Sequence, residues 1–459
     1  MLPPSFPSTL ETIVGAGHVR RDAASLLAYG TDALKQGQPA DLVVLPGTAA
    51  EISAIARLCH DMRVPLVVRG SGTGYTGGAV PVEGGVVVSV ERLNRILEID
   101  ETNLLAIVQP AVITGHLQDA VESRGLFYPP DPQSFKESSI GGNVAECAGG
   151  PRAFKYGVTK RYVMGLEAVL PTGEIIRTGG KTVKNVVGYD LTQLLVGSEG
   201  TLAIITEIIL RLVPKPPAVA TLRACFATVR EAADTVTALI RRRVVPSTLE
   251  LMDRDSLDTV AAYVGERLAP EGTGALLLLE IDGAAEAVAA EANHVADACR
   301  ECGALEVLRA RDAAERETLW RVRRETSYAL RTIAPLKLNN DVVVPRGRVP
   351  ELFALVERLR DAHQLRIPAF GHAGDGNIHV NVMVDPADGA AMARAHAAVA
   401  ELFEGVIALE GSISGEHGIG FAKKPYIALE LSDDVLGLMQ RVKAAFDPHG
   451  ILNPGKIFP

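Results

Sequence analysis

Five glycines, Gly70, Gly72, Gly74, Gly77 and Gly78, crowd into the ten residues RGSGTGYTGG (69–78) that open the stretch RGSGTGYTGGAVPVEGG at residues 69–85. Glycine at this density propagates neither a helix nor a regular strand. The stretch must be a turn whose successive backbone N–H groups form an anion nest, suited to a pyrophosphate. Gly72, Gly74 and Gly77 also satisfy GxGxxG. A dinucleotide fingerprint, however, opens a helix whose N-terminus faces the phosphates. Here Gly78 leads into AVPVEGGVVVSV, with Pro81 and then a strand pattern, so the context is β and a Rossmann reading is rejected. Taken alone, the segment reads equally well as a glycine-rich structural hairpin.

Two more glycine turns follow. PPDPQSFKESSIGGNVAECAGGPRAFKYG (129–157) carries Ser139, Gly141, Gly142 and Asn143, and LLVGSEGTLAIITE (194–207) carries Gly197, Ser198 and Gly200 between apolar runs. Three such loops, each touching a strand, can line one extended ligand with two phosphates and a flat ring. Around them, LVVLP, VPLVVRG, GGVVVSV, LLAIVQP and LEAVLP read as short strands, and Ala49–Met62 has helical period. Residues 1–37 read as a peripheral helical segment. The prolyl stretch LVPKPPAVA (212–220) marks a boundary. Beyond it TLRACFAT, STLELMD and GALLLLEIDG alternate with helices starting near Arg230, Ala284 and Ala313, the texture of an α+β domain with an antiparallel sheet. The expected division is 1–37, 38–216, 217–410 and a glycine-rich segment 411–459.

The C-terminal half holds AFGHAGDGNIHVNVMV (369–384) and GSISGEHGIGFAKKPY (411–426). His372 closes one strand, Asp375-Gly376 signals a hairpin, and His379 opens the next, so two imidazoles can face one cation. Glu416 and His417 lie in a Gly-flanked segment without helical period, as site loops often do. Two histidines and one carboxylate with open positions suit zinc or another first-row divalent metal, manganese and iron included. The bland reading, a local turn with satisfied histidines, covers His379 alone but not the full set. ETLWRVRRETSYAL (317–330) reads as a helix carrying Trp320, Arg321, Arg323 and Arg324; a solvated basic face is its ordinary meaning.

The three glycine loops, in this order and spacing, together with HAGDGNIH and GEHGIG, resemble the FAD-linked enzymes of the vanillyl-alcohol-oxidase superfamily. Within it the chain is most similar to the group formed by the flavin-binding component of glycolate oxidase, D-lactate dehydrogenase and D-2-hydroxyglutarate dehydrogenase. The resemblance runs from about Leu42 to the C-terminus. It implies an α+β fold: a two-part FAD-binding domain plus an α+β cap with an antiparallel sheet. It implies FAD contacts from Arg69, Gly70, Ser71, Gly72, Thr73, Gly74, Gly77 and Gly78, from Pro130, Ser139, Gly141, Gly142, Asn143, Gly149 and Gly157, and from Gly200, Ile205 and Asn453. Relatives with covalent flavin carry a histidine in the first loop; Thr73 stands there instead, which implies dissociable FAD. His372, His379 and Glu416 are the implied metal ligands and His417 the base. Arg323, with Arg324 as the register alternative, Asn381, Ser327 and Lys337 are the implied substrate contacts, a planar guanidinium being suited to a carboxylate. The implied reaction oxidises a D-2-hydroxy acid, such as D-lactate, glycolate or D-2-hydroxyglutarate, by hydride transfer to flavin N5.

Composition sets limits on partners. The net charge is −9, from 46 basic and 55 acidic residues, so nucleic acid is not expected as a partner and a small anion must be drawn by local positive groups. Five cysteines without a cluster motif exclude an iron–sulfur centre and a disulfide framework; Cys299 and Cys302, a CxxC at a helix end, read as ordinary helix cysteines. Electrons must therefore leave to an external acceptor: a quinone, a cytochrome, an electron-transferring flavoprotein or an iron–sulfur subunit. No apolar run spans a bilayer and no secretory signal is evident, so the expectation is cytoplasmic, with membrane association only through a partner. A homodimer is compatible with the sequence. His449 is expected to be structural. Rival readings are a flavin subunit acting only within a multi-subunit oxidase, a non-catalytic flavin relay, and the superfamily's ether-lipid synthase, which would need hydrophobic anchoring segments this chain lacks.

Overall fold

The structure, a computed structural model, describes residues 4–459. The chain divides into two compact units. The first takes the residues up to Gly149, Val158–Lys215 and Glu416–Pro459; the second takes Gly150–Gly157 and Pro216–Gly415. The break at Lys215 falls inside the prolyl stretch.

The first unit is itself built on two larger sheets, with Leu126–Phe127 and Val213–Pro214 forming a small antiparallel pair beside them. In one, Leu42–Val44 and Leu66–Arg69 run parallel to Val86–Ser89, which lies between them, and Val19–Arg20 adds an antiparallel edge. The three parallel strands share consecutive apolar residues, LVV, LVV and VVV, as strands covered on both faces should. Helix Ala49–Met62 covers one face. Thr48 caps it by accepting from the Glu51 N–H, and it buries Ile52, Ile55, Ala56 and Cys59. Helix Phe6–Val14 was expected to be peripheral. Instead Phe6 and Leu10 are completely buried in the same core, because an apolar sheet face needs a cover. Residues 1–3 of that expectation lie outside the described residues. The other sheet is antiparallel, in the order Ile96–Asp100, Leu105–Val108, Ile204–Arg211, Val163–Val169, Ile175–Gly179.

The second unit centres on one seven-stranded antiparallel sheet. Its order is Glu306–Arg309, Ala218–Phe226, Ala275–Gly283, Thr248–Asp253, Ala369–His372, Asn377–Val384, Leu336–Val343. Helices Arg254–Val264 and Ala313–Leu330 pack on the face that carries Met252, Phe370 and Met383. That face matters below, because Glu250 and His372 lie two residues from Met252 and Phe370 and so share it. Helix Val229–Arg241 starts on a full capping box, Thr228 with Glu231.

Cys299 and Cys302 end helix Ala285–Glu301 and are unbridged. Burial pushes the Cys299 thiol up to about 12, so it is inert. Among the described residues, no helix is long and apolar enough to cross a membrane.

Candidate functional site

In the first unit the three glycine loops are stitched into one cradle. Arg69 ends its strand and turns its guanidinium inward, donating to the carbonyl of Thr31 at 2.6 Å. Gly72 must be glycine: its φ is +70° and a Cβ would stand 2.3 Å from an Arg69 nitrogen. A Cβ on Gly70 would stand 2.6 Å from the Ser139 hydroxyl, so the first loop rests on the second. The Gly141 backbone fits against Pro110, where a Cβ would come within 2.5 Å. Asn143 donates to Thr114 at 2.7 Å. The third loop hangs on the second through Gly197 N–H to Val144 O, 2.9 Å, and Glu199 N–H to Ala145 O, 2.8 Å. Asn453 closes the ring, its amide donating to Gly78 O at 2.9 Å and Glu199 O at 2.8 Å. Pro130 is held by Gln118, which donates to its carbonyl at 2.9 Å. Ile205 is buried on its strand. Gly157, with φ +83°, ends the short helix Ala153–Tyr156 and belongs to the second unit. Ser71 and Thr73 sit on the rim of the first loop, exposed and half-buried.

Glu416 and His417 follow in the first unit. The His417 ring stacks on Tyr75 at 5.4 Å between centroids, and its backbone carbonyl accepts from the Thr76 hydroxyl at 3.0 Å. The turn after it is pinned by Glu199, whose carboxylate accepts from the Ile419 N–H at 2.8 Å and the Gly420 N–H at 2.6 Å. A Cβ on Gly149 would stand 2.8 Å from a Glu416 oxygen, so glycine there makes room for that carboxylate.

In the second unit, Ala369–His372 and Asn377–Val384 form the hairpin that Asp375-Gly376 suggests, with His372 opposite Asn377 and Phe370 opposite His379. This register makes His372 and His379 diagonal neighbours on one face. Their rings stand 5.2 Å apart, edge to face, and both are buried. The adjacent strands add acids in register: Glu250 opposite His372 and Asp341 opposite His379. Glu250 is fully buried, bonded to His372 Nδ1 and ion-paired with Arg323. Burial pushes its carboxyl up, but His372 and Arg323 outweigh that and pull it down to about 2. Asp341, also fully buried, accepts from the Asn377 amide at 2.6 Å and from the Gly415 N–H at 2.9 Å.

Helix Ala313–Leu330 turns Arg323 toward this row, its guanidinium 4.7 Å from the centre of the Phe370 ring. Arg324, the register alternative, points away and bonds Glu317 on the exposed side. Lys337 donates to the Ser327 hydroxyl at 2.8 Å, which brings two of the expected substrate contacts together. Asn381 is different. It is fully buried, accepts from Asn339 at 2.7 Å and donates to the His379 carbonyl at 3.0 Å. The protein itself uses both ends of that amide, so Asn381 holds the hairpin and Asn339 beside it is half-buried. His449 stacks on His60 at 4.3 Å, a packing role.

Comparison with known proteins now decides the family. Residues 40–179 match the FAD binding domain family, and residues 215–457 match the family of FAD linked oxidases, C-terminal domain. The chain belongs to the FAD-linked oxidases. It is 46% identical over 436 residues to glycolate oxidase subunit GlcD of Bacillus subtilis, covering 95% of this chain and 93% of that protein. It is 36% identical over 424 residues to D-lactate dehydrogenase of Anaerostipes hadrus, covering 91% and 89%. Its fold is similar to that of p-cresol methylhydroxylase, with a TM-score of 0.83 at 18% identity, over 99% of this chain and 96% of that one. The enzyme is thus an FAD-linked oxidoreductase, with the α+β, two-part flavin domain expected from its sequence.

The residues present fit FAD. Gly74 lacks a positive φ, and a Cβ on it would meet nothing nearer than an Asp32 oxygen at 3.9 Å. The chain's own packing does not demand that glycine, and its bare backbone leaves room for the close approach of a phosphate. The histidine pair equally fits a divalent cation. An imidazole whose Nδ1 is hydrogen-bonded to a carboxylate presents Nε2 to a metal. Glu250, Asp341, Glu199 and Asn339 were not singled out from the sequence. The available signal was an acid inside an apolar strand, STLELMD and NNDVVV, since a buried carboxylate needs a partner.

Proposed function

We propose that this FAD-linked oxidase dehydrogenates a short D-2-hydroxy acid of the glycolate or D-lactate class to the 2-oxo acid, with a divalent cation, zinc in the first instance, assisting. The observation that carries this reading is the buried His372–His379 pair backed by Glu250. Glu416 is the third ligand we assign: it follows Gly415, whose N–H bonds Asp341 in register with His379. When bound, the flavin supplies the two-electron acceptor for the C2 hydride. The cation would make the C2 hydroxyl more acidic. His417 takes that hydroxyl proton as general base, its ring packed against Tyr75 and its backbone carbonyl held by Thr76. Arg323 binds the substrate carboxylate: its Nε–H belongs to Glu250, but guanidinium keeps further donors. The Lys337–Ser327 pair adds a second polar contact. The FAD is held without a covalent bond, because Thr73 is no nucleophile toward the ring.

Anaerobic mixing with glycolate and with D- and L-lactate, following flavin absorbance, tests the proposal. D-lactate or glycolate should bleach the flavin and L-lactate should not. His417→Ala should keep FAD yet lose at least about a hundredfold in the bleaching rate, the range of a general base. Normal bleaching in that variant rejects His417 as base. An active preparation without metal removes the cation from the scheme.

A second reading is favoured by one observation: the Bacillus relative is named a subunit. The enzyme would then pass electrons to a partner polypeptide. Reduction by substrate with negligible turnover in the isolated chain is the outcome that supports it.

A further inference from the structure

One buried carboxylate serves two partners. Glu250 lies in the interior of strand Thr248–Asp253 with no solvent exposure, bonded through one oxygen to His372 Nδ1 and through the other to Arg323 Nε. Arg323 is itself only 2% exposed and lies on the Phe370 ring. The register sets this arrangement: Glu250 is directly opposite His372, and Phe370, two residues back, is opposite His379. A carboxylate buried this deeply needs partners for its charge, and its two partners here are the proposed metal ligand and the proposed substrate anchor.

We propose that Glu250 is a positioning residue that couples the two ends of the site, fixing His372 as the Nδ1–H tautomer and balancing its own charge between that imidazole and Arg323. The inference rests on the metal-assisted reading above and deepens it. Its electrostatics are simple. With Arg323 present, the Glu250–Arg323 pair adds no net charge beside the cation; Glu250 without Arg323 adds one negative charge, and Arg323 without Glu250 adds one positive charge. The carboxylate also raises the basicity of the imidazole it holds, as such outer partners do.

The test is zinc affinity of the full-length FAD-loaded protein, by competition with a chelating dye at pH 8, which needs no turnover. Glu250→Gln should weaken zinc binding about 10- to 100-fold, the usual effect of losing a carboxylate behind a metal histidine. Arg323→Met should instead tighten it. The double variant Glu250→Gln/Arg323→Met should fall between them. A carboxylate that only holds the fold together predicts weakening in both single variants, and that result overturns the proposal, as does a Glu250→Gln protein with normal flavin spectrum and unchanged zinc affinity. If Glu250→Gln does not accumulate, the double variant decides, since it replaces the buried pair by neutral groups of similar size. It must bind zinc more weakly than Arg323→Met; equal affinity rejects the coupling. A wild-type protein that binds no zinc defeats the metal reading itself, an outcome distinct from either.

Discussion

At the scale of single residues, the flavin unit hides an unequal pair of acids. Glu146 and Glu199 flank Gly418: a Cβ there would stand 2.4 Å from a Glu146 oxygen and 2.9 Å from the Glu199 carboxyl carbon. Burial pushes both carboxyls up. Glu199 is relieved by the Ile419 and Gly420 N–H groups and by Lys423 and Lys456, whereas Glu146 is pushed further by Glu199 and Asp32. The charge therefore belongs on Glu199 and the proton on Glu146. A raised folded-state value means that the unfolded chain releases this proton first as pH rises above the ordinary 4.5. Glu146 thus costs stability increasingly with pH, with a limiting slope of about 1.4 kcal/mol per pH unit. Glu146→Gln should raise the unfolding midpoint more at pH 8 than at pH 5 in paired urea titrations. An equal shift at both values would show that Glu146 is not protonated in the fold.

Among elements, the Ala369–Val384 hairpin places two histidines on one face, and its turn tolerates little. Gly376 has φ +86°, and a Cβ would stand 2.0 Å from the Val344 carbonyl oxygen. Gly376→Ala should therefore cost on the order of 2–4 kcal/mol in chemical denaturation, combining backbone strain with a displaced neighbouring strand. The opposite case is the segment between Gly179 and Leu191. Val186 is 95% exposed and Val187 92%, although both are strand-forming types. Val186→Ser should change stability by less than about 0.5 kcal/mol in the same assay, because no apolar contact is lost. Valine is a type usually found buried, so the surroundings of the loop and not the residue type decide its exposure here.

On the scale of the whole molecule, neither unit is a continuous piece of chain. The C-terminal segment completes the flavin unit: the Leu66 N–H donates to Ile451 O at 2.8 Å, the Asn453 N–H donates to Leu66 O at 2.7 Å, and the Asn453 amide joins the first and third glycine loops. A fragment ending at Lys215 lacks all of these and leaves the Leu66 strand edge and the Gly78 loop without support. It should lose FAD on gel filtration, where the full chain retains it; a yellow fragment would show that the three loops hold the cofactor unaided.

Much of this enzyme was legible in the chain because its decisive signals are local. Glycine clusters, a β context after Gly78, the Asp375-Gly376 hairpin and the prolyl boundary each depend on a few neighbouring residues whose backbone preferences are intrinsic. The same holds for the histidine pair, since a hairpin register follows from its own turn. Tertiary structure alone decided the partners. Glu250 meets His372 and Arg323 across long stretches of sequence, Glu199 reaches the turn after His417, and Asn381 is taken by Asn339 rather than left open. Strand order sets those contacts, and strand order comes from burying whole faces, a property no short stretch of residues carries by itself.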